Sequence, residues 1–240
     1  MSMEEPIAPG TVIIRHRIAT RVWHWINAVA IVILLGSGLT ISNAHRRLYW
    51  GQFGANPDHA WLSVVYWPGW VTIPARYNLA LARRWHLLFA LVFAFSLLVF
   101  MIVSLLNRHF QRDLKLHGHE LTARHLWADV KQHAALRFHD AENPRDYNIL
   151  QKLTYIVVLF VLLPLAVLTG LTLSPGMDAA WPWLLDLFGG RQSARSIHFL
   201  ASGGIALFIV VHLTLVILAG VVPETLSMIT GRWRVPEDNR

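Results

Sequence analysis

The sequence predicts an all-α membrane protein: a bundle of four transmembrane helices joined by segments that carry short interfacial helices. Three observations predict it. The 240-residue chain is 55% apolar and only 15% charged, with a mean hydropathy of +0.43; a soluble domain has more charge and less apolar content. Four apolar runs, at about 22–41, 85–106, 153–173 and 198–222, are each long enough to cross about 30 Å of hydrocarbon. No Asp or Glu lies inside any of them. A single domain over residues 1–240 is expected.

Residues 1–14, with Pro6, Pro9 and Gly10, read as a short, poorly ordered tail. Arg15, Arg17 and Arg21 precede the first span, whose start, RVWHWINAVAIVILLGSGLTIS, places His24 between two tryptophans. Tryptophans at that depth are interface anchors; a histidine there is not ordinary. A cleaved signal peptide is the weaker reading of this run, since cleavage would discard His24. Residues 42–84 form an aromatic loop broken by Pro57, Pro68 and Pro74, lying on the membrane face. The next helix begins early, at NLALARRWH. Residues 107–150 are polar, and TARHLWADVKQHAALRF has the capping threonine and apolar spacing of a surface amphipathic helix. His117 and His119 flank one glycine there, but no cysteine or firm ligand spacing makes them a metal site. The third span contains Pro164, a predicted kink. A loop over 174–194 leads to the fourth span, and Pro223 starts a short interfacial helix, PETLSMITGRW.

An even number of spans puts both termini on one side. Lys and Arg number 14 on that side and 7, with no lysine, on the other, so the termini are expected in the cytoplasm. The net charge of +7 follows from these basic loops and gives no ground for nucleic-acid binding. The absence of cysteine excludes disulfides, covalently attached c-type haem and iron–sulfur clusters in this chain. A faint internal echo joins the two halves. GLTIS at 38–42 returns as GLTLS at 170–174, and Arg84-Trp-His86 resembles Arg195-Ser-Ile-His198.

Only His24, His86, His198 and His212, of 13 histidines, fall in the spans. An ionisable side chain inside a membrane is costly and marks function. His198 and His212 are 14 residues apart, about 21 Å along a helix and only about 40° round it. One helix therefore presents a ligand near each side of the membrane. By depth, His24 is closest to His212, and His86 to His198. Haem b held by paired imidazoles fits, one haem per leaflet. Gly38, 14 residues after His24, gives a macrocycle room to approach the helix. Arg21, Arg83, Arg84 and Arg195 stand beside the ligand positions, placed either to pair with haem propionates or to anchor topology. A zinc-transport site needs ligands within a few ångströms of one point, which His198 and His212 cannot supply. A proton relay would want carboxylates inside the spans.

RHRIATRVWHW opening span one, RRWH opening span two and the His-x13-His spacing of span four resemble the bacterial integral-membrane di-haem cytochrome b family. That family includes cytochrome b subunits of nickel–iron hydrogenases, formate dehydrogenases and thiosulfate reductases. The resemblance implies two bis-histidine haems b, the inner on His24 and His212 and the outer on His86 and His198. It implies an electron path across the inner membrane between a periplasmic catalytic subunit of molybdopterin or hydrogenase type and the quinone pool. A quinone pocket near the inner haem is implied too, with His16, Arg17, Arg21 and Asn27 as candidates. Two rivals stand beside this reading: a stand-alone superoxide–quinone oxidoreductase on the same scaffold, and a transporter without haem.

Overall fold

A computed structural model of the chain describes residues 10–54, 56, 59–108, 110–111, 114–116, 122, 124, 127, 129–131 and 149–234. Its main elements are four helices long and apolar enough to cross a membrane: α1 (Ile18–Ala44), α2 (Leu79–Leu106), α3 (Ile149–Leu173) and, last in the chain, Arg191–Thr230. Each extends past its apolar run, because helical hydrogen bonding does not stop where hydropathy falls. The expected amphipathic helix at 122–138 and the His117/His119 pair lie mostly outside the described residues.

Burial along these helices is inverted relative to a soluble protein. On α1, Asn27, Ala30, Gly36, Ser37 and Thr40 are buried, whereas Val29 and Val32 are more than half exposed. On α2, Leu88, Leu91, Phe95 and Leu98 form an exposed stripe at helical spacing. Small and polar residues face protein while aliphatics face outward, as packing in lipid requires. The chain is a multi-pass membrane protein.

Local chemistry sets the helix ends and their irregularities. Asn78 caps α2, its Oδ1 accepting from the Leu81 amide at 3.0 Å. The strain expected at Pro164 is taken up just before it, where Val158–Leu162 widens into a π-helical turn within α3. Proline has no N–H for the carbonyl four residues back and its ring crowds that carbonyl, so a wider turn relieves both. Residues 174–190, expected as loop, instead hold two short helices, α4 (Pro175–Ala180) and α5 (Pro182–Leu187), each started by a proline at its first position. The last long helix, α6 (Arg191–Thr230), runs on beyond the expected span. It breaks at Gly220, with φ 111° and ψ 98°, and resumes around Pro223. Only glycine takes that backbone without strain, so the segment read as a separate interfacial helix follows directly on the span.

The described residues divide into two compact units. One consists of residues 1–24, 99–157 and 209–240. Here the tail expected to be disordered is structured from Val12 onward. Strand β1 (Val12–Ile14) pairs antiparallel with the strand Arg232–Arg234, in the register Val12 to Arg234 and Ile14 to Arg232. Ile13 and Trp233 bury against each other. Arg15 donates from one Nη to both carboxylate oxygens of Glu224 at 3.1 Å, and its guanidinium carbon lies 4.8 Å from the centre of the Trp233 ring.

The other unit holds residues 25–98 and 158–208. Its aromatic segment is anchored rather than loose. Strands β2 (Arg47–Leu48) and β3 (Leu62–Ser63) pair antiparallel, and the Arg232–Arg234 strand is accordingly β4. The Gly51 carbonyl accepts the amides of Gln192 and Ser193, satisfying donors of the first turn of α6 that have no partner within the helix. Ser196 donates to the Tyr49 carbonyl at 2.6 Å and accepts from the Trp61 indole at 3.0 Å. Further along, the Ile73 amide bonds the Gly36 carbonyl, and Thr40 bonds the Ile73 carbonyl at 3.0 Å.

Candidate haem site

In the second unit, α2 and α6 bring His86 and His198 together, their ring centroids 6.2 Å apart and their planes 70° apart. Hydroxyl residues of two further helices, which carry Gly38 and Gly170, complete the arrangement. Ser37 on α1 places its Oγ 3.0 Å from Nδ1 of His86, and Thr169 on α3 places its Oγ1 3.0 Å from Nδ1 of His198. Both hydroxyl residues are fully buried. The next residue is glycine in each case. A Cβ added at Gly38 would sit 3.5 Å from Cε1 of His86, and one at Gly170 would sit 3.3 Å from Cε1 of His198. A Cβ at Gly170 would therefore crowd the imidazole of His198, whereas one at Gly38 would meet that of His86 in ordinary contact. Extended one position toward the N-terminus, the internal echo becomes Ser-Gly-Leu-Thr and Thr-Gly-Leu-Thr, and the added position carries the hydroxyl.

In the first unit, α1 and α6 bring His24 and His212 together, with centroids 6.4 Å and planes 59° apart. Next to His24, the Trp23 ring stacks on Phe100 at 3.9 Å. Of the residues considered for a quinone, His16 and Arg21 lie here against Gly231. The His16 amide donates to the Gly231 carbonyl, and Arg21 Nε reaches the Met228 carbonyl at 3.4 Å. Burial, and then the adjacent Arg15 charge, push the His16 imidazole down from 6.5 to about 4. Arg17 is exposed. Asn27 belongs to the other unit, buried and donating to Ser96 at 2.7 Å.

The donor set fits an iron porphyrin. Two imidazoles sharing one metal, each bonded through one nitrogen at about 2.0–2.1 Å, have ring centres about 6 Å apart, and both pairs have that spacing. Among the described residues no cluster of three or more His, Asp or Glu forms a metal site, so a bare tetrahedral ion has too few ligands. A porphyrin brings four equatorial nitrogens of its own and asks the protein for the two axial ones.

Around the start of α6 lies a cleft of about 500 Å³ lined by His45, Arg46, Arg47, Tyr49, Ser63 and Arg195. Among the described residues no carboxylate lines it. The Arg195 guanidinium donates to Gln192 at 3.0 Å. Burial, then the nearby charges of Arg195 and Arg83, hold the His45 imidazole below its usual range. Arg83 and Arg195 each stand three residues before a paired histidine, one helical turn away; Arg83 and Arg84 are both exposed, and Arg195 is half-buried.

Outward-facing aliphatic helices with paired imidazoles between them define a membrane cytochrome b. The chain belongs to the prokaryotic cytochrome b561 family, whose model matches residues 15–231, and membership implies b-type haem. It is 27% identical over 214 residues, 88% of this chain and 93% of the relative, to a protein of Azospira oryzae named as a protein-methionine-sulfoxide reductase subunit, YedZ1. It is 24% identical over 251 aligned positions, 99% of this chain and 94% of the relative, to an Azotobacter vinelandii protein named as a nickel–iron hydrogenase B-type cytochrome subunit. No solved structure matches it.

Proposed function

We propose that this protein is the membrane electron-transfer subunit of a respiratory oxidoreductase. It holds two haems b, an inner one on His24 and His212 and an outer one on His86 and His198. It passes electrons across the inner membrane between the quinone pool and a periplasmic catalytic partner of molybdopterin or hydrogenase type. The observation that carries the reading is the 6.2 Å and 6.4 Å spacing of the two imidazole pairs. The names of the two relatives support a redox partner.

Held by each histidine pair, a haem b would supply reversible one-electron transfer. The chain's residues do the rest. Buried small and polar side chains on α1 let the helices close round the ligands. Arg195, with Arg83, Arg84 and the basic cleft beside it, offers charge-assisted hydrogen bonds to the outer haem's propionates. The Lys and Arg excess supports cytoplasmic termini, an orientation that would leave the segments at 42–84 and 174–194 to the partner. His16 and Arg21 remain the quinone candidates on the inner side.

Haem content and reduced-minus-oxidised spectra of the purified chain test the ligands. The expected result is two haems per chain, with His198→Ala losing one and His212→Ala losing the other together with quinone reaction. Either variant keeping both haems overturns the assignment. Mild-detergent extraction from native membranes tests the partner: a catalytic redox subunit should co-purify. A lone chain that reduces quinone with superoxide would replace that half of the reading while leaving the haems in place.

A further inference from the structure

We propose that Ser37 and Thr169 are a matched pair of positioning residues that fix the tautomer and raise the basicity of the outer haem's two ligands. The proposal rests on the haem reading above and concerns residues that lie outside the ligand set.

The argument starts from proton counting. A hydroxyl has one proton to donate, and a backbone carbonyl can only accept. Ser37 Oγ lies 2.6 Å from the Ile33 carbonyl and 3.2 Å from that of Leu34. Thr169 Oγ1 lies 2.6 Å from the Leu165 carbonyl and 3.3 Å from that of Ala166. In each case the short bond four residues back takes the hydroxyl proton. The same oxygen is 3.0 Å from a ring Nδ1, so in that contact the oxygen accepts and Nδ1–H donates. Nε2 is then left with its lone pair, as a metal ligand requires. The opposite tautomer would set two lone pairs against each other, or oblige the hydroxyl to abandon its carbonyl.

The grip is duplicated in detail. Each half of the internal echo supplies a hydroxyl bonded to the ring and a glycine, one position on, that faces the same ring. Hydroxyl back-bonding to the preceding turn is common in helices; what sets these two apart is that the same oxygen meets an imidazole. An acceptor on the distal N–H of a ligating histidine makes the ring a stronger donor. A stronger donor favours the ferric over the ferrous state, so these hydroxyls hold the outer haem's potential down.

The test is an optical redox titration of the full-length holoprotein in detergent. The variants are Ser37→Ala and Thr169→Val, with Ser37→Thr and Thr169→Ser as conservative controls. Each removal is expected to raise the outer haem's midpoint, by about tenfold in the ferric/ferrous equilibrium, or about 59 mV for one electron. The inner haem should stay unchanged, and the ferric outer haem's EPR signal should shift as its rings reorient. The conservative variants should restore both readings. Loss of the outer haem in the removal variants, with retention in the hydroxyl-keeping ones, also supports the proposal. An unmoved midpoint with both haems present overturns it, and so does a change that the hydroxyl-keeping variants fail to reverse. If the unsubstituted chain lacks a second haem, or His198→Ala keeps it, the failure lies in the haem reading itself.

Discussion

Placing alanine at Gly38 and at Gly170 separates two positions that the sequence makes look equivalent. Each change gains helix propensity, about 0.8–1.0 kcal/mol for Gly to Ala in a helix interior. Against this stands the ring each new methyl would meet. At Gly38 the Cβ falls 3.5 Å from Cε1 and 3.9 Å from Nδ1 of His86, ordinary van der Waals contact that costs nothing and gains some dispersion. At Gly170 the nearest atom, Cε1 of His198, is at 3.3 Å, so the imidazole must give by a few tenths of an ångström. Overpacking of that kind costs about 1–3 kcal/mol, enough to cancel the propensity gain, and it pushes on the ring that Thr169 holds at 3.0 Å. Gly38→Ala is therefore expected to be neutral or mildly stabilising, with the outer haem intact. Gly170→Ala should gain no stability and should loosen that haem. Leucine at either position, whose branch continues from the methyl into the imidazole, should abolish outer-haem binding. Thermal melts followed at the Soret band, with pyridine-haemochrome counts, provide the assay. Equal behaviour of the two alanine variants, or a leucine variant with full haem content, would refute the reasoning.

Three further outcomes follow from contacts already described. Glu224→Gln removes the ion pair with Arg15 and should cost about 1 kcal/mol, in the upper range for pairs near a surface, seen as faster amide exchange across β1 and β4. Trp61→Phe deletes the indole donor to Ser196 and should cost about 1 kcal/mol, with protection lost first in the first turn of α6. His16 titrates at about 4 in the folded chain against 6.5 unfolded. The unfolded state therefore binds more protons between those values, so its contribution to stability is complete above pH 6.5 and is lost as pH falls toward 4. A His16→Gln variant should flatten that part of the exchange profile.

How much of this was legible in the sequence depends on range. The four apolar runs and the depth of each histidine follow from hydropathy and the 3.6-residue turn, which are local properties. With the depths known, His24 beside His212 and His86 beside His198 are the pairs an antiparallel arrangement brings together. The strand partners were not legible, because Val12–Ile14 and Arg232–Arg234 are three residues each and more than 200 positions apart, too short for periodicity to announce. Nor was the return of Ile73 to α1, which depends on a carbonyl that Gly36 leaves uncovered: a Cβ there would fall 2.7 Å from Ile73. Ser37 and Thr169 were within reach, since each sits immediately before one half of the internal echo, but a hydroxyl in a span reads as filler until the structure shows which ring it faces. Arg83 and Arg195 stand three residues before their histidines and Arg84 two before His86, and spacing alone does not choose between Arg83 and Arg84.

The pairing of β1 with β4 also bears on how the protein is made. A strand that precedes the first span can find its partner only after the fourth has been threaded and its far end returned to the starting side. The fastening thus cannot close on a chain with an odd number of crossings, and its closure certifies a finished topology. Fusions or truncations that spare residues 12–14 and 232–234 leave that checkpoint in place, while those that cut into either strand leave the last span without a latch.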